Sequence, residues 1–414
     1  MSNTLIRTLF LLSLLVAITG LAEAQRLVSS VPNGTLTVRT INNFLNRSAK
    51  HANVQPSSVA VELRKITYTS TDANGRRSNL TGLLAMPVGG APNGLVVFMH
   101  GTIWDRKASP SRLNATGKEG EAMGAASILA PGGFAVVMPD YIGLGDHMAV
   151  HPYPVNVINA KAGADIIEPA RELIRRQRYN VGPNLFVTGY SEGGGTAMAL
   201  ARDLQNSGVS VTATAPSSGP YDLSGVTRDY LLSEAKGQDL VARAYLLGYA
   251  VKYFESSHGA KMTNYFHPTM SRTINGAFKE GRTDKDIAIR LAVVGTLVGA
   301  TKSVERLLTD RFLNALRNND RSDPLIGSMT ANDCYDWTPR SPTLIFSAAA
   351  DRIVDPGNAR KAYDTMRRRG VGPSTMRWLS NEDPSTDHGK GFALALKANR
   401  DFFAGGFSAV PNAR

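Results

Sequence analysis

One serine in this chain is set up to be a nucleophile. The segment Gly189-Tyr190-Ser191-Glu192-Gly193 follows the apolar run Leu185-Phe186-Val187 directly and opens into Gly194-Gly195-Thr196-Ala197-Met198, which has helical character. A serine at a tight strand-to-helix turn exposes its hydroxyl, and the flanking glycines are needed where strand and helix leave no room for Cβ atoms. The same turn aims the unpaired N–H groups of the helix N-terminus at any negative charge that develops beside the hydroxyl. The pattern G-x-S-x-G recurs by chance, but its place between a strand and a helix makes Ser191 the expected nucleophile.

A serine hydroxyl attacks poorly until a base takes its proton, and the base must be held in the correct tautomer by an acid. Asp351 meets the second need: it directly follows the apolar run ending Phe346-Ser347-Ala348-Ala349-Ala350. His388 meets the first, in the loop Thr386-Asp387-His388-Gly389, with room between the two for one helix and the strand Met376-Arg377-Trp378-Leu379. Asp355 is the alternative acid if the strand ends later, and Asp387 reads as a surface or hinge carboxylate. An oxyanion formed at Ser191 needs two backbone N–H donors. Glu192, next after the nucleophile, is expected to give one. Thr102, in His100-Gly101-Thr102 after the apolar run Val97-Phe98-Met99, is expected to give the other, with Ile103 in reserve.

His100 and Gly101, Asp140 and Tyr141 at the carboxyl end of another strand, and Tyr190 beside the nucleophile are expected to border the substrate, since ligands gather outside strand carboxyl ends in open α/β sheets. His100 shapes its loop by hydrogen bonds and is given no proton transfer. His147 and His151 are four apart, a metal-ligand spacing on a helix. Pro152 and the nearby glycines oppose a helix there, and the chemistry needs neither metal nor other cofactor.

These residues require a scaffold that brings strand ends together. Apolar runs at Leu95–Met99, Phe134–Met138, Leu185–Val187, Val211–Ala215 and Thr343–Phe346 read as strands covered on both faces, as in a parallel sheet. Helical stretches over 121–129, 160–176, 194–204 and 356–369 alternate with them, which implies helices on both sides of the sheet. Pro169 should kink or restart the second. Ahead of them, the alternating run from Ser58 turns at Asp72-Ala73-Asn74-Gly75 and resumes at Leu80, a hairpin. Between Gly219 and Pro342 the rhythm breaks: no strand is expected, and at least three amphipathic helices are, one with the stripe Leu240, Ala244, Leu247, Val251 and Phe254. That interval is too long for a loop and reads as an inserted helical cap.

With the serine turn, the His100-Gly101-Thr102 loop and the motif Pro139-Asp140-Tyr141-Ile142-Gly143-Leu144-Gly145 followed by His151-Pro152-Tyr153, the chain resembles the secretory lipase (lipase A-type) family of the α/β-hydrolase superfamily, found in fungi and bacteria. The likeness runs from about Val59 to Phe403. It implies an α/β-hydrolase fold, a mostly parallel sheet flanked by helices with a helical cap between strands 6 and 7, and hydrolysis of carboxylic esters, acylglycerols included, by Ser191, Asp351 and His388. Glu192 departs from the small or amide residue common beside the nucleophile in lipases. The resemblance therefore bears on ester chemistry more than on fat as the substrate. An exported peptidase of the same fold, with Glu192 holding a peptide terminus, and a non-catalytic binding module are the competing readings.

The ends and the composition bound the rest. Arg7, the apolar run Leu9–Ile18 and the small-residue site Ala22-Glu23-Ala24 read as a cleavable export signal over 1–24. A secreted or periplasmic location follows from it. Expected next are an N-terminal extension over 25–56, a catalytic domain over 57–222 and 337–407, a cap over 223–336 and a loose tail over 408–414. Leu291–Ala300 is too short to span a bilayer and reads as a buried or cap helix. A lone Cys334 gives no internal disulfide, so stability must come from a large core. The formal charge of +12 favours anionic surfaces, yet its arginine clusters have helical spacing and lack nucleic-acid motifs, which excludes nucleic acid as a partner. The expected partner is a small-molecule or lipid ester, with contact at a lipid interface. The oligomeric state is not legible.

Overall fold

The computed structural model describes residues 26–414, and the expected export signal lies outside the described residues. Nine strands form one sheet: β1 (Leu27–Leu36), β2 (Val61–Thr71), β3 (Arg77–Pro87), β4 (Gly94–Met99), β5 (Ala135–Pro139), β6 (Asn184–Tyr190), β7 (Ala213–Ser217), β8 (Thr343–Ala348) and β9 (Met376–Asn381). Their spatial order is β1-β2-β3-β5-β4-β6-β7-β8-β9. The first three are antiparallel to their neighbours, and β4 to β9 are parallel. The strands β4, β5, β7 and β8 are buried along their whole length, which is why their sequences are apolar without alternation.

Around the sheet pack α1 (Val38–Ser48), α2 (Glu121–Ile128), α3 (Asn156–Asp165), α4 (Ile167–Arg176) and α5 (Glu192–Asn206). The stretch expected as one helix over 160–176 is thus two, broken at Ile166, three residues before Pro169. That is the break a ring without an N–H enforces on the preceding turn. The interval after β7 holds α6 (Arg228–Leu232), α7 (Gln238–His258), α8 (Pro268–Ala277), α9 (Asp284–Leu297), α10 (Val304–Leu307), α11 (Asp310–Arg317) and α12 (Pro324–Ala331), before α13 (Gly357–Arg368) and α14 (His388–Gly405) return to the sheet. The inserted helices have their own apolar core, and all five residues of the predicted stripe from Leu240 to Phe254 are buried in it. Among the described residues no helix is long and apolar enough to cross a membrane.

The two ends of the chain differ from expectation. The 25–56 segment is no mere extension, because β1 joins the sheet edge; counted from β2, the helical cap falls between the sixth and seventh strands as expected, which are β7 and β8 here. The sequence of β1 hid its pairing because only Leu27 and Leu36 are buried, and the register slips beside Pro32 and Gly34, as edge strands permit. The 408–414 tail is also held. Val410 and Ala413 are buried, and Arg414 exchanges backbone hydrogen bonds with Trp378 at 2.9 and 2.7 Å, covering the free edge of β9.

Candidate active site

The turn between β6 and α5 places Ser191 at φ 59°, a left-handed conformation costly for a side chain, of order 1–3 kcal/mol. The turn is held by the Ser191 N–H, which donates to the Ser217 carbonyl at 3.1 Å, and by the Gly194 N–H, which donates back to the Ser191 carbonyl at 2.8 Å. A Cβ on Gly193 would strike the Met99 carbonyl, and one on Gly189 would strike the Gly193 carbonyl, so both glycines are steric requirements.

His388, the first residue of α14, lies with Nε2 2.9 Å from Ser191 Oγ and Nδ1 2.6 Å from Asp351 Oδ2. The Asp351 carboxylate is fixed by its other oxygen, which accepts the Ile353 and Val354 N–H groups, each at 2.9 Å. Because Nδ1 faces an acceptor and Nε2 faces a hydroxyl, neutral imidazole with its proton on Nδ1 satisfies both contacts. That is the tautomer a general base needs. The Tyr190 hydroxyl donates to the His388 carbonyl at 2.6 Å and pins the start of α14. Asp355, the alternative acid, instead accepts the Gly357 N–H at 2.7 Å, and Asp387 caps α14 by accepting the Lys390 N–H.

Ser191 opens onto a cavity between the strand ends and the inserted helices. Leu246 and Leu247 of α7, Leu325 and Met329 of α12, and Ile353 and Val354 beside Asp351 make it mostly apolar. Among the described residues the backbone N–H groups of Glu192, Thr102 and Ile103 have no hydrogen-bond partner, so the donors assigned to an oxyanion are free to serve.

Set against solved structures, the chain matches along nearly its whole described length. A candidate hydrolase from Legionella pneumophila aligns with TM-score 0.78 and 24% identity over 92% of this chain and 98% of that one. The rice cell wall degrading esterase LipA from Xanthomonas oryzae aligns with TM-score 0.73 and 21% identity over 93% and 96%. The chain has the α/β-hydrolase fold. Candida antarctica lipase A shares that α/β-hydrolase architecture more distantly, with TM-score 0.59 and 15% identity over 88% of this chain and 77% of that one. No protein-family model and no curated protein sequence matches.

The five residues expected to border the substrate do not line the cavity. His100, Asp140, Tyr141 and Tyr190 are buried beneath it. Asp140 accepts the Thr81 hydroxyl at 2.5 Å and the Ser111 N–H at 2.8 Å, and burial raises its pKa above the ordinary carboxylate value. Tyr141 donates to the His100 carbonyl at 3.0 Å and stacks on the His100 ring. His100 in turn bonds the Gly101 carbonyl at 2.7 Å and the Asp140 carbonyl at 3.3 Å, and burial lowers its pKa. The Gly101 N–H donates to Glu121 at 2.7 Å. These residues brace the loop that carries Thr102 from behind. At Asp140 and Tyr141 the expected role is corrected because the loop 141–153 folds over the end of β5, and at Tyr190 because its hydroxyl is spent on the His388 carbonyl.

Two functional neighbours escaped the sequence reading. His151 Nε2 lies 2.8 Å from Glu192 Oε1, both side chains about 1% exposed, and Asn159 Nδ2 adds a bond at 3.1 Å. Both bonds fall on Glu192 Oε1, and Oε2 is buried with no hydrogen-bond partner among the described residues. His147 accepts the Gly143 N–H at 3.1 Å, so the two imidazoles weighed as a metal pair go to separate partners. The signal for the buried pair was Glu192 itself: a charged residue in the first turn of a packed helix must find a partner. The other neighbour, Glu121, opens α2. Burial pushes its carboxyl up to about 7, partly offset by the Gly101 N–H.

Proposed function

We propose that this chain is an exported carboxylic ester hydrolase acting through Ser191, His388 and Asp351. The observation that carries this reading is the unbroken hydrogen-bonded line from Ser191 Oγ through His388 to Asp351, opening at an apolar cavity. In the first half-reaction Ser191 Oγ bonds to the ester carbonyl carbon as its proton passes to His388 Nε2, and the carbonyl oxygen becomes an anion received by the Glu192 and Thr102 N–H groups. Collapse breaks the ester C–O bond. The departing alkoxide takes the proton from Nε2, which leaves an acyl-serine. Water then repeats the sequence, its proton going to His388 and returning to Ser191 as the acid leaves. Asp351 holds the Nδ1 proton throughout and stabilises the imidazolium between steps.

The Leu and Met lining suits an acyl chain, and the structural neighbours named an esterase and a lipase support ester chemistry on this fold. A peptidase is not favoured, since the Glu192 side chain that would hold a peptide terminus is only about 1% exposed. The test is turnover of aryl esters of increasing acyl length by the full chain and by Ser191→Ala. The variant should lose at least ~10³ in kcat with an unchanged unfolding midpoint. Turnover that survives in it, or failure of Ser191 to react with an organophosphonate, removes the mechanism.

A further inference from the structure

Four of the large apolar side chains left exposed on this protein fall within ten residues of the cap. On α9, Ile289, Val293 and Leu297 are 51%, 55% and 80% exposed, with Val298 just beyond them at 44%. A spacing of four residues puts the first three on one helix face. Ile287, Leu291 and Gly295 make the opposite stripe and are buried, where α9 packs on α7 and α8. Some 200° of helical rotation separates Ile287 from Ile289. A helix apolar on two opposite faces is suited to be covered on both, and here only the inner face is.

Charge indicates what covers the outer one. Arg282, Lys285, Arg290, Lys302 and Arg306 ring the stripe, all exposed and none in an ion pair among the described residues. Four carboxylates lie nearby: Asp284, which accepts the Trp104 N–H and the Tyr245 hydroxyl, Asp286, which caps the helix beside Arg282 and Lys285, and Glu280 and Glu305, so the cations remain in excess. Apolar side chains flanked by unpaired cations are what an anionic lipid surface receives, the chains entering the headgroup boundary and the cations meeting phosphates. A second copy of the chain is a poor occupant, because a two-fold pairing would bring the two rings of cations together.

We propose that the outer face of α9 is the site at which this protein docks on an anionic lipid–water interface. The placement is functional. The inner neighbour α7 supplies Leu246 and Leu247 to the cavity wall, so only α9 itself separates a docked surface from the helix that lines the cavity. The N-terminus of α9 also holds the loop of Thr102, through the Trp104 N–H on Asp284 at 2.8 Å. The proposal stands apart from the ester-hydrolase reading, because docking is measured without turnover.

The experiment is flotation of the full chain with vesicles of phosphatidylcholine containing 30% phosphatidylglycerol, and with phosphatidylcholine alone. The wild type should float with the anionic vesicles, bind the neutral ones at least tenfold less, and be released by about 0.5 M salt. The double variant Val293→Ser/Leu297→Ser should lose at least tenfold in bound fraction. Its unfolding midpoint, and its turnover of a water-soluble aryl ester if the wild type has any, should stay unchanged. Equal binding by the double variant, or a wild type that ignores anionic vesicles and elutes as a dimer which the double variant breaks, overturns the proposal. An inactive wild type that still binds through α9 would sink the ester-hydrolase reading alone.

Discussion

Two carboxylate–imidazole pairs flank Ser191, nearly equal in length and opposite in design. Asp351 meets His388 at 2.6 Å and Glu192 meets His151 at 2.8 Å. The difference lies in the far nitrogen. His388 turns Nε2 to a hydroxyl it can deprotonate, whereas His151 turns Nδ1 to the Ile142 carbonyl at 2.9 Å, which can only accept. Both nitrogens of His151 therefore face acceptors unless Glu192 carries a proton. The pair must hold one shared proton in addition to that on Nδ1, either as imidazolium with carboxylate or as imidazole with carboxylic acid. The first pair is a base waiting for a proton, and the second is a sealed structural bond. Residue types alone do not separate these roles; the second partner of each imidazole does.

The largest effect expected from breaking this comparison is at the open pair. In Asp351→Asn the amide would offer an N–H to Nδ1, so the ring proton would move to Nε2, facing Ser191. The base would then be in the wrong tautomer, and kcat should fall by about 10⁴ with little change in stability. A variant within tenfold of wild type would mean that Asp351 does not set the tautomer. Next in size is Glu192→Ala at the sealed pair. Removing the carboxylate strands His151 Nε2 in a buried space and leaves Asn159 Nδ2 only the Pro152 carbonyl at 3.4 Å, at a cost of about 3 kcal/mol. Denaturant midpoints measured with an unchanged slope give that cost directly, and a loss below 1 kcal/mol would show that the pair does not brace α5.

The contrast also explains what the sequence made legible. Ser191, Asp351 and His388 could be placed because each sits at a junction with a local signature: a glycine-flanked turn, the end of an apolar run, the start of a final helix. The parallel sheet was legible in the same way, from runs buried on both faces. The Glu192–His151 bond joins residues 41 apart across two loops, and no local pattern encodes it. Asp140, Tyr141 and Tyr190 were read as substrate contacts because their strand ends point toward the site, but whether a side chain lines a cavity or lies beneath it depends on how the next loop folds. The strand β1 was missed for a related reason. Its exposed, alternating polar residues resemble a linker until β2 supplies the hydrogen bonds.

A third carboxylate near the site sharpens the comparison, because among the described residues Glu121 accepts the Gly101 N–H where the others meet imidazoles. Its pKa is raised from 4.5 to about 7, chiefly by burial. A folded-state acid that holds its proton longer than the unfolded chain loses stability as pH rises between those two values, and the loss is complete above the higher one. The wild type should therefore weaken by about 2 kcal/mol from pH 4.5 to 7 relative to Glu121→Gln, which keeps an acceptor for Gly101 and cannot titrate. Urea midpoints of both proteins across that window decide it. A difference that does not change with pH would place the charge elsewhere.

The smallest effect, and the one that tests the comparison most closely, is expected from Glu192→Gln. It is the same acid-to-amide change that should cripple the open pair. Here the amide N–H can donate to His151 Nε2 while Nδ1 keeps its proton on the Ile142 carbonyl, so a neutral ring satisfies both contacts and no proton needs to be shared. Asn159 Nδ2 bonds that same oxygen, so the amide N–H that meets His151 gives up the Asn159 bond. The Glu192 backbone N–H is untouched, so kcat should stay within about fivefold while stability falls by about 1 kcal/mol. The two acid-to-amide variants should thus differ by about three orders of magnitude in turnover, although the bonds they alter differ by only 0.2 Å (2.8 against 2.6 Å). If Glu192→Gln fell as far as Asp351→Asn, the Glu192 charge would have to act on the reacting atoms, and His151 would belong to the proton path.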